Sequence, residues 1–210
     1  MRISSVLFVC LLLLSCSDKK KENKVTTPVV NKEDSSAKPT PEKSINSYSP
    51  IDISPMDMSY FPADYPKLKM STPSIKPAMA RVVYSRPHLQ GRQLFNDVLK
   101  YGEAWRLGAN EATELDLYTD ATIQGKKIKE GRYILYCIPD RDKWTIVLNS
   151  NIDSWGLHPN SLKDIAQFTV PAAMTSNAIE YFTMIFQPTA TGADLLMAWD
   201  NVEVRLPLSF

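Results

Sequence analysis

Between Tyr84 and Thr113 the chain gathers side chains that could do chemistry. Arg86, Arg92 and Arg106 stand there with His88, Trp105, the pair Asn110-Glu111, and Gly91, Gly102 and Gly108, three of only 7 glycines in the chain. A guanidinium is a planar fork that can hold a carboxylate or phosphate through two hydrogen bonds. One expectation is therefore a ligand-binding loop: Arg86, Arg92, Arg106, Asn110 and Glu111 take a small anion, a glycan or a protein partner, with Trp105 and Tyr84 as flanking walls. A second is a structural staple, in which the arginines pair internally with Glu103, Glu111, Asp97 or loop carbonyls and Trp105 is buried. Internal pairing is the commoner fate of such a cluster. A third is a hydrolase-like enzyme in which Glu111 or Glu103 acts as base while Arg86, Arg92 and Arg106 hold an anionic substrate. That chemistry needs a carboxylate in a concave pocket within reach of the arginines. Like charges drawn together need a counter-charge, so the three arginines are expected to share a neighbourhood with Glu103 or Glu111.

Other chemistries find less support. His88 follows Pro87 with no local carboxylate, and His158 lies in Leu157-His158-Pro159, so both are expected at the surface. A Ser85–His88 pair lacks a nucleophile elbow and a third member. The 2 histidines and 3 cysteines form no zinc pattern. No P-loop or dinucleotide fingerprint occurs, and no metal or cofactor is expected. Cys137, inside the apolar run Tyr133–Ile138, has no base or electropositive neighbour in sequence and is expected to be a small buried hydrophobe. Lys and Arg number 24 against 23 Asp and Glu, with no basic stripe, which argues against nucleic acid.

The same stretch carries a recognisable pattern: Tyr84-Ser85-Arg86-Pro87, Gly91-Arg92, Phe95, Tyr101-Gly102, Trp105-Arg106, Gly108-Ala109-Asn110 and Ala112-Thr113. It continues through Lys143-Trp144-Thr145-Ile146-Val147, Trp155-Gly156 and Ala198-Trp199-Asp200-Asn201. The chain thereby resembles domain-of-unknown-function family 2911, a group of exported bacterial proteins, over about Ala78 to Leu208. Gln90 and Lys100 depart from that pattern, which carries Lys and Pro at those places. The resemblance implies export and no established activity.

The elements that must position this loop have a period of two, the signature of half-buried strands. Strands are expected at Ala80–Tyr84, Thr113–Tyr118, Ala121–Ile128, Arg132–Ile138, Lys143–Asn149, Ile165–Val170, Ile179–Gln187, Asp194–Trp199 and Val202–Leu208. Pro171 is read as ending one strand, and Asp200-Asn201 as a two-residue hairpin turn. In Thr113–Tyr118, Leu115 and Leu117 face inward, Glu114 and Asp116 outward. Helix is confined to one or two short turns, at Gln93–Leu99 and near Ser161–Asp164. The fold class is all-β, an antiparallel β-sandwich of about nine strands, built from residues 78–210.

Two segments precede that body. Residues 48–77 carry Pro50, Pro55, Pro62, Pro66, Pro73 and Pro77, which exclude a long helix or a central strand. Tyr48, Ile51, Met56, Met58, Tyr60, Phe61, Tyr65 and Leu68 make the segment too apolar for a free linker, so an extended arm against the body is expected. Residues 16–47 are a tether rich in Lys, Thr, Pro and Ser, with too little apolar surface to offset the entropy of ordering. Residues 1–15 read as a signal peptide: Arg2, then an apolar run from Val6 to Leu14 that is too short to span a bilayer. Leu13-Leu14-Ser15-Cys16 resembles the lipobox of bacterial lipoproteins, which implies cleavage before Cys16 and acylation there. Each buried methylene contributes about 0.8 kcal/mol, so two or more acyl chains anchor a protein durably. The expected location is the bacterial cell envelope, on a membrane through Cys16.

Overall fold

The computed structural model describes residues 52–210. The expected signal peptide, Cys16 and the tether lie outside the described residues.

Nine strands form one antiparallel sheet among the described residues: β1 (Met56–Phe61), β2 (Ala80–Ser85), β3 (Thr113–Leu117), β4 (Ala121–Ile123), β5 (Lys126–Ile128), β6 (Gly131–Pro139), β7 (Lys143–Asn149), β8 (Asp164–Pro188) and β9 (Gly192–Ser209). Their order is β1-β2-β3-β6-β7-β8-β9-β4-β5. Helix is minor among the described residues: α1 (Tyr65–Ser71), one π-turn at Leu94–Val98 and one 3-10 turn at Ser161–Lys163. Both expected helical turns are present. α1 fits the proline constraint, because it is one short helix with a proline in its first turn. Among the described residues, no helix is long and apolar enough to cross a membrane.

The sheet becomes a sandwich through β8. Residues 164–171 of this 25-residue strand pair with β7, and residues 172–188 pair with β9. Val82, Tyr84, Leu115, Leu135 and Ile146 from one half share a buried core with Phe182, Met184, Leu195, Met197 and Trp199 from the other. The alternation seen in the sequence places these residues, since every second side chain points to the same face. β6 is covered on both faces: Ile134, Leu135, Tyr136 and Cys137 are all buried. The outer side is closed by polar contacts: the Tyr136 hydroxyl donates to Asp164 at 2.9 Å, and Asn149 Nδ2 donates to the Asn160 carbonyl and to Asp164, both at 2.8 Å.

Four details differ from the sequence reading. Ala121–Ile128 is not one strand but the β4–β5 hairpin, because Gln124 and Gly125 both take positive φ, 48° and 78°, as a tight two-residue turn requires. Pro171 does not end its strand. It lies opposite Lys143 at the end of the β7 ladder, and the next residue, Ala172, is already opposite Val204 of β9; a residue lacking an N–H is tolerated where the ladder changes partner. Asp200-Asn201 is not a hairpin turn. Asp200 has φ 52° but β9 runs on to Ser209, and the irregularity falls instead on β8, where register slips between Met174 and Ile179. Asp116 points away from the core as expected, yet is only 6% exposed. Arg81 clamps it through Nε and Nη2 at 2.9 and 2.5 Å, and Arg132 Nε adds a contact at 3.0 Å.

Within the Pro-rich segment, Met56–Phe61 is the sheet's own edge strand, paired along β2 with Asp57 opposite Tyr84.

Candidate functional site

The three arginines have three different environments. Arg86 follows the end of β2, and each nitrogen of its guanidinium donates a hydrogen bond: Nε to the Phe182 carbonyl at 3.2 Å, Nη1 to Asp57 Oδ2 at 3.1 Å, and Nη2 to Thr183 Oγ1 at 3.0 Å. Its backbone N–H reaches the Pro55 carbonyl at 3.0 Å. Arg86 thus ties β1, β2 and β8 together. Tyr84 belongs to this knot. It is 1% exposed, its ring meets Phe182 edge-on at 5.7 Å, and its hydroxyl faces Asp57 Oδ2 at 3.4 Å. Burial, above all, pushes the Tyr84 hydroxyl up to about 12.

Arg92 closes its own loop. Nε donates to the Leu89 carbonyl at 2.9 Å and Nη2 to the His88 carbonyl at 2.7 Å. Asp97 is likewise local, accepting from the Gln93 backbone N–H at 2.7 Å.

Arg106 differs. Its Nη1 is buried with no hydrogen-bond partner among the described residues. No described carboxylate lies within ion-pair distance of it. Desolvation alone lowers its proton affinity below the usual arginine value. The side chain lines a cleft of about 370 Å³ together with Arg92, Trp105, Trp199, Ile53, Ser54, Val98, Gly156 and Leu157.

The cleft is held by strong local structure. Trp105 sits on a short bridge to β6, its N–H to the Cys137 carbonyl at 2.7 Å and the Cys137 N–H returning at 2.8 Å. Its indole stacks on Trp199 at 5.5 Å and 24°, meets Phe182 at 4.9 Å, and donates Nε1–H to the Gly108 carbonyl at 3.1 Å. Gly156 supports the Arg106 stem from the other side. It has φ 86°, and a Cβ there would lie 3.0 Å from both Ala112 and the Arg106 Cβ. A side chain at this position would push the guanidinium out of place.

The expected arginine–glutamate cluster does not form. Glu103 pairs with Lys100 at 3.5 Å on the surface. Glu111 is exposed and lines a separate shallow cleft with Glu114, Asp153 and Trp155. Neither lines the Arg106 cleft, and no carboxylate, histidine or cysteine among the described residues does. Asn110 is turned away: with φ 61° it donates Nδ2 to Asp52 Oδ2 at 2.5 Å. Of the residues expected at a ligand, Arg92, Trp105 and Arg106 meet at this cleft. Tyr84 and Arg86 form the β1–β2–β8 knot, and Asn110 and Glu111 lie elsewhere.

His88 is not a free surface side chain. It stacks on Tyr181 at 4.9 Å and 6°, with Nδ1 3.6 Å from Glu180 Oε1. Its carboxylate comes from β8, which local sequence does not show. His158 is exposed, as expected. Cys137 is fully buried, and burial raises its thiol well above the ordinary value, so it packs as a hydrophobe.

Reading from sequence missed Asp57, Ile53 and Leu157 as participants. The apolar arm signalled that its residues dock, without saying which of them would reach the loop. Gly156 and Trp199 were visible only as parts of the family pattern.

Fold and cleft together define an all-β body with a small cationic cleft walled by indoles. Residues 66–208 match the model of the family described as "Protein of unknown function (DUF2911)", and the chain belongs to that family. Searches of curated proteins and of solved structures return no match.

Proposed function

We propose that this protein is a membrane-anchored lipoprotein of the bacterial cell envelope, held through acyl chains on Cys16, that binds a small anion at Arg106. The observation carrying the binding role is the buried Nη1 of Arg106, which has no partner and no carboxylate in its cleft among the described residues. An unsatisfied charged donor costs stability, so a bound anion that completes it would be favoured at this atom. Among the described residues the cleft also offers no carboxylate, histidine or cysteine to accept or deliver a proton, which favours binding over hydrolysis by Glu103 or Glu111. Calorimetry with small anions tests the reading: wild type binds and Arg106→Gln does not. Equal uptake by both would remove the cleft from the protein's function. The anchor rests on Leu13-Leu14-Ser15-Cys16. Fatty-acid labelling is expected in the wild-type chain and absent in Cys16→Ser; label persisting in the variant would reject it.

A further inference from the structure

Building on the anion-cleft reading, we infer that the ligand is a monocarboxylate carried on an apolar body, with its charge on Arg106 and its body between the indole wall and an apolar rim. Donor matching comes first. Of the two guanidiniums lining the cleft, Arg92 already gives Nε and Nη2 to backbone carbonyls, whereas Arg106 has a buried Nη1 without a partner among the described residues. No lysine or histidine among the described residues lines the cleft to share further negative charge. One open fork matches one carboxylate. A phosphate presents more acceptor oxygens than one open fork satisfies, and Arg92, although it keeps its charge, has Nε and Nη2 committed to carbonyls.

The walls decide the rest. Ile53 is 69% exposed and Leu157 57% exposed, yet both line the cleft, as do Val98 and Trp105. Large apolar side chains at a mouth are surface that a ligand's apolar part can cover. A sugar would call for several hydrogen-bonding side chains around its ring, and beside the two arginines the described lining offers one, Ser54. The volume of about 370 Å³ falls at the small end of small-molecule sites, which run from about 300 to 1,000 Å³. The same chemistry is carried by a free organic acid or by the C-terminal carboxylate of an apolar peptide.

The experiment uses the full chain, with calorimetry and the quenching of Trp105 and Trp199 fluorescence as readouts. The probes are acetate, hexanoate, benzoate, inorganic phosphate, and one apolar tripeptide with a free or an amidated C-terminus. Hexanoate, benzoate or the free-acid peptide is expected to bind at least about tenfold more tightly than acetate and phosphate, since each apolar contact in such a cleft discriminates by about tenfold or more. Arg106→Gln is expected to lose that binding. The exposed Leu157→Ser variant, which disturbs no core, should lose most of the advantage of hexanoate over acetate. Preference for the organic acids assigns a free acid as the source; preference for the free-acid peptide over its amide assigns a peptide terminus. Tightest binding by phosphate, or equal binding of the free and amidated peptides, overturns the monocarboxylate and leaves an anion cleft standing. No binding by any probe overturns the cleft reading with it.

Discussion

Arg86 and Arg106 belong to the same loop-rich stretch and have opposite environments. Arg86 reaches a carboxylate, a carbonyl and a hydroxyl on two other strands. Arg106 reaches no carboxylate among the described residues and keeps a buried donor open. The difference comes from the strands around them. Asp57 stands opposite Tyr84 in the β1–β2 register, which puts a carboxylate where Arg86 leaves β2. Around Arg106 stand indoles, small residues and Gly156. One stretch therefore holds both a structural staple and a candidate binding site, readings that looked mutually exclusive in the sequence.

The largest effect that sharpens this contrast is alkaline, and it belongs to the staple. Tyr84 has an ordinary value of 10.0, raised in the fold to about 12. For an acid raised by folding, the stabilisation is complete below the unfolded value and is lost as pH rises through the folded one. The contribution of Tyr84 should therefore hold to about pH 10 and fall between about pH 10 and pH 12. At about 1.4 kcal/mol per pKa unit, the loss reaches roughly 3 kcal/mol at the upper end. Denaturant midpoints across that window check it; a Tyr84→Phe chain whose midpoint falls just as steeply would assign the alkaline loss to other tyrosines.

Arg86→Ala comes next. Removing hydrogen bonds from a charged donor costs about 2 kcal/mol, less than a fully buried pair because the Arg86 side chain is 33% exposed and Asp57 42%. In a domain of this size that is a fall in Tm of about 4–8 °C. A melt unchanged by Arg86→Ala would break the staple half of the comparison.

Gly156→Ala is expected to cost about 1–2 kcal/mol, the penalty of a left-handed backbone for a residue with a Cβ. It should weaken anion binding as well, because the new methyl group meets the Arg106 stem at 3.0 Å. A variant that melts lower yet binds normally would show that Gly156 serves the backbone and not the guanidinium.

How much of this was legible follows the range of each interaction. β3, β6 and β7 alternate or run apolar locally, and their limits agree with the strands read from sequence within about two residues. The π-turn at Leu94–Val98 and the 3-10 turn at Ser161–Lys163 were also readable. Pro171 and Asp200 misled because their local preferences are absorbed where β8 changes partner and where β8 and β9 fall out of register. The arginines and Trp105 announced themselves by type. Their partners did not, because Arg86–Asp57 and His88–Glu180 span strand pairings that no local window contains. The orphaned Nη1 of Arg106 depends on what is missing around it once the chain has folded, so residue type and spacing could not reveal it.

The smallest stability effect is the one that separates the two arginines most cleanly. In Arg106→Met the stem keeps its packing against Gly156, and the change removes a desolvated charge that no described carboxylate compensates. Replacing a poorly compensated buried charge by an apolar group of similar length is neutral or stabilising. The Tm of Arg106→Met is therefore expected to stay within the range of an ordinary surface substitution, about 0.5 kcal/mol, or to rise, while anion binding is lost. Such a trade of stability for function is typical of preorganised sites. A fall as large as that of Arg86→Ala would mean that Arg106 is a second staple whose partner is supplied within the chain, and the cleft would lose its claim to a ligand. A stable fold with binding abolished would leave Arg86 as the residue that builds the site's support and Arg106 as the one that uses it.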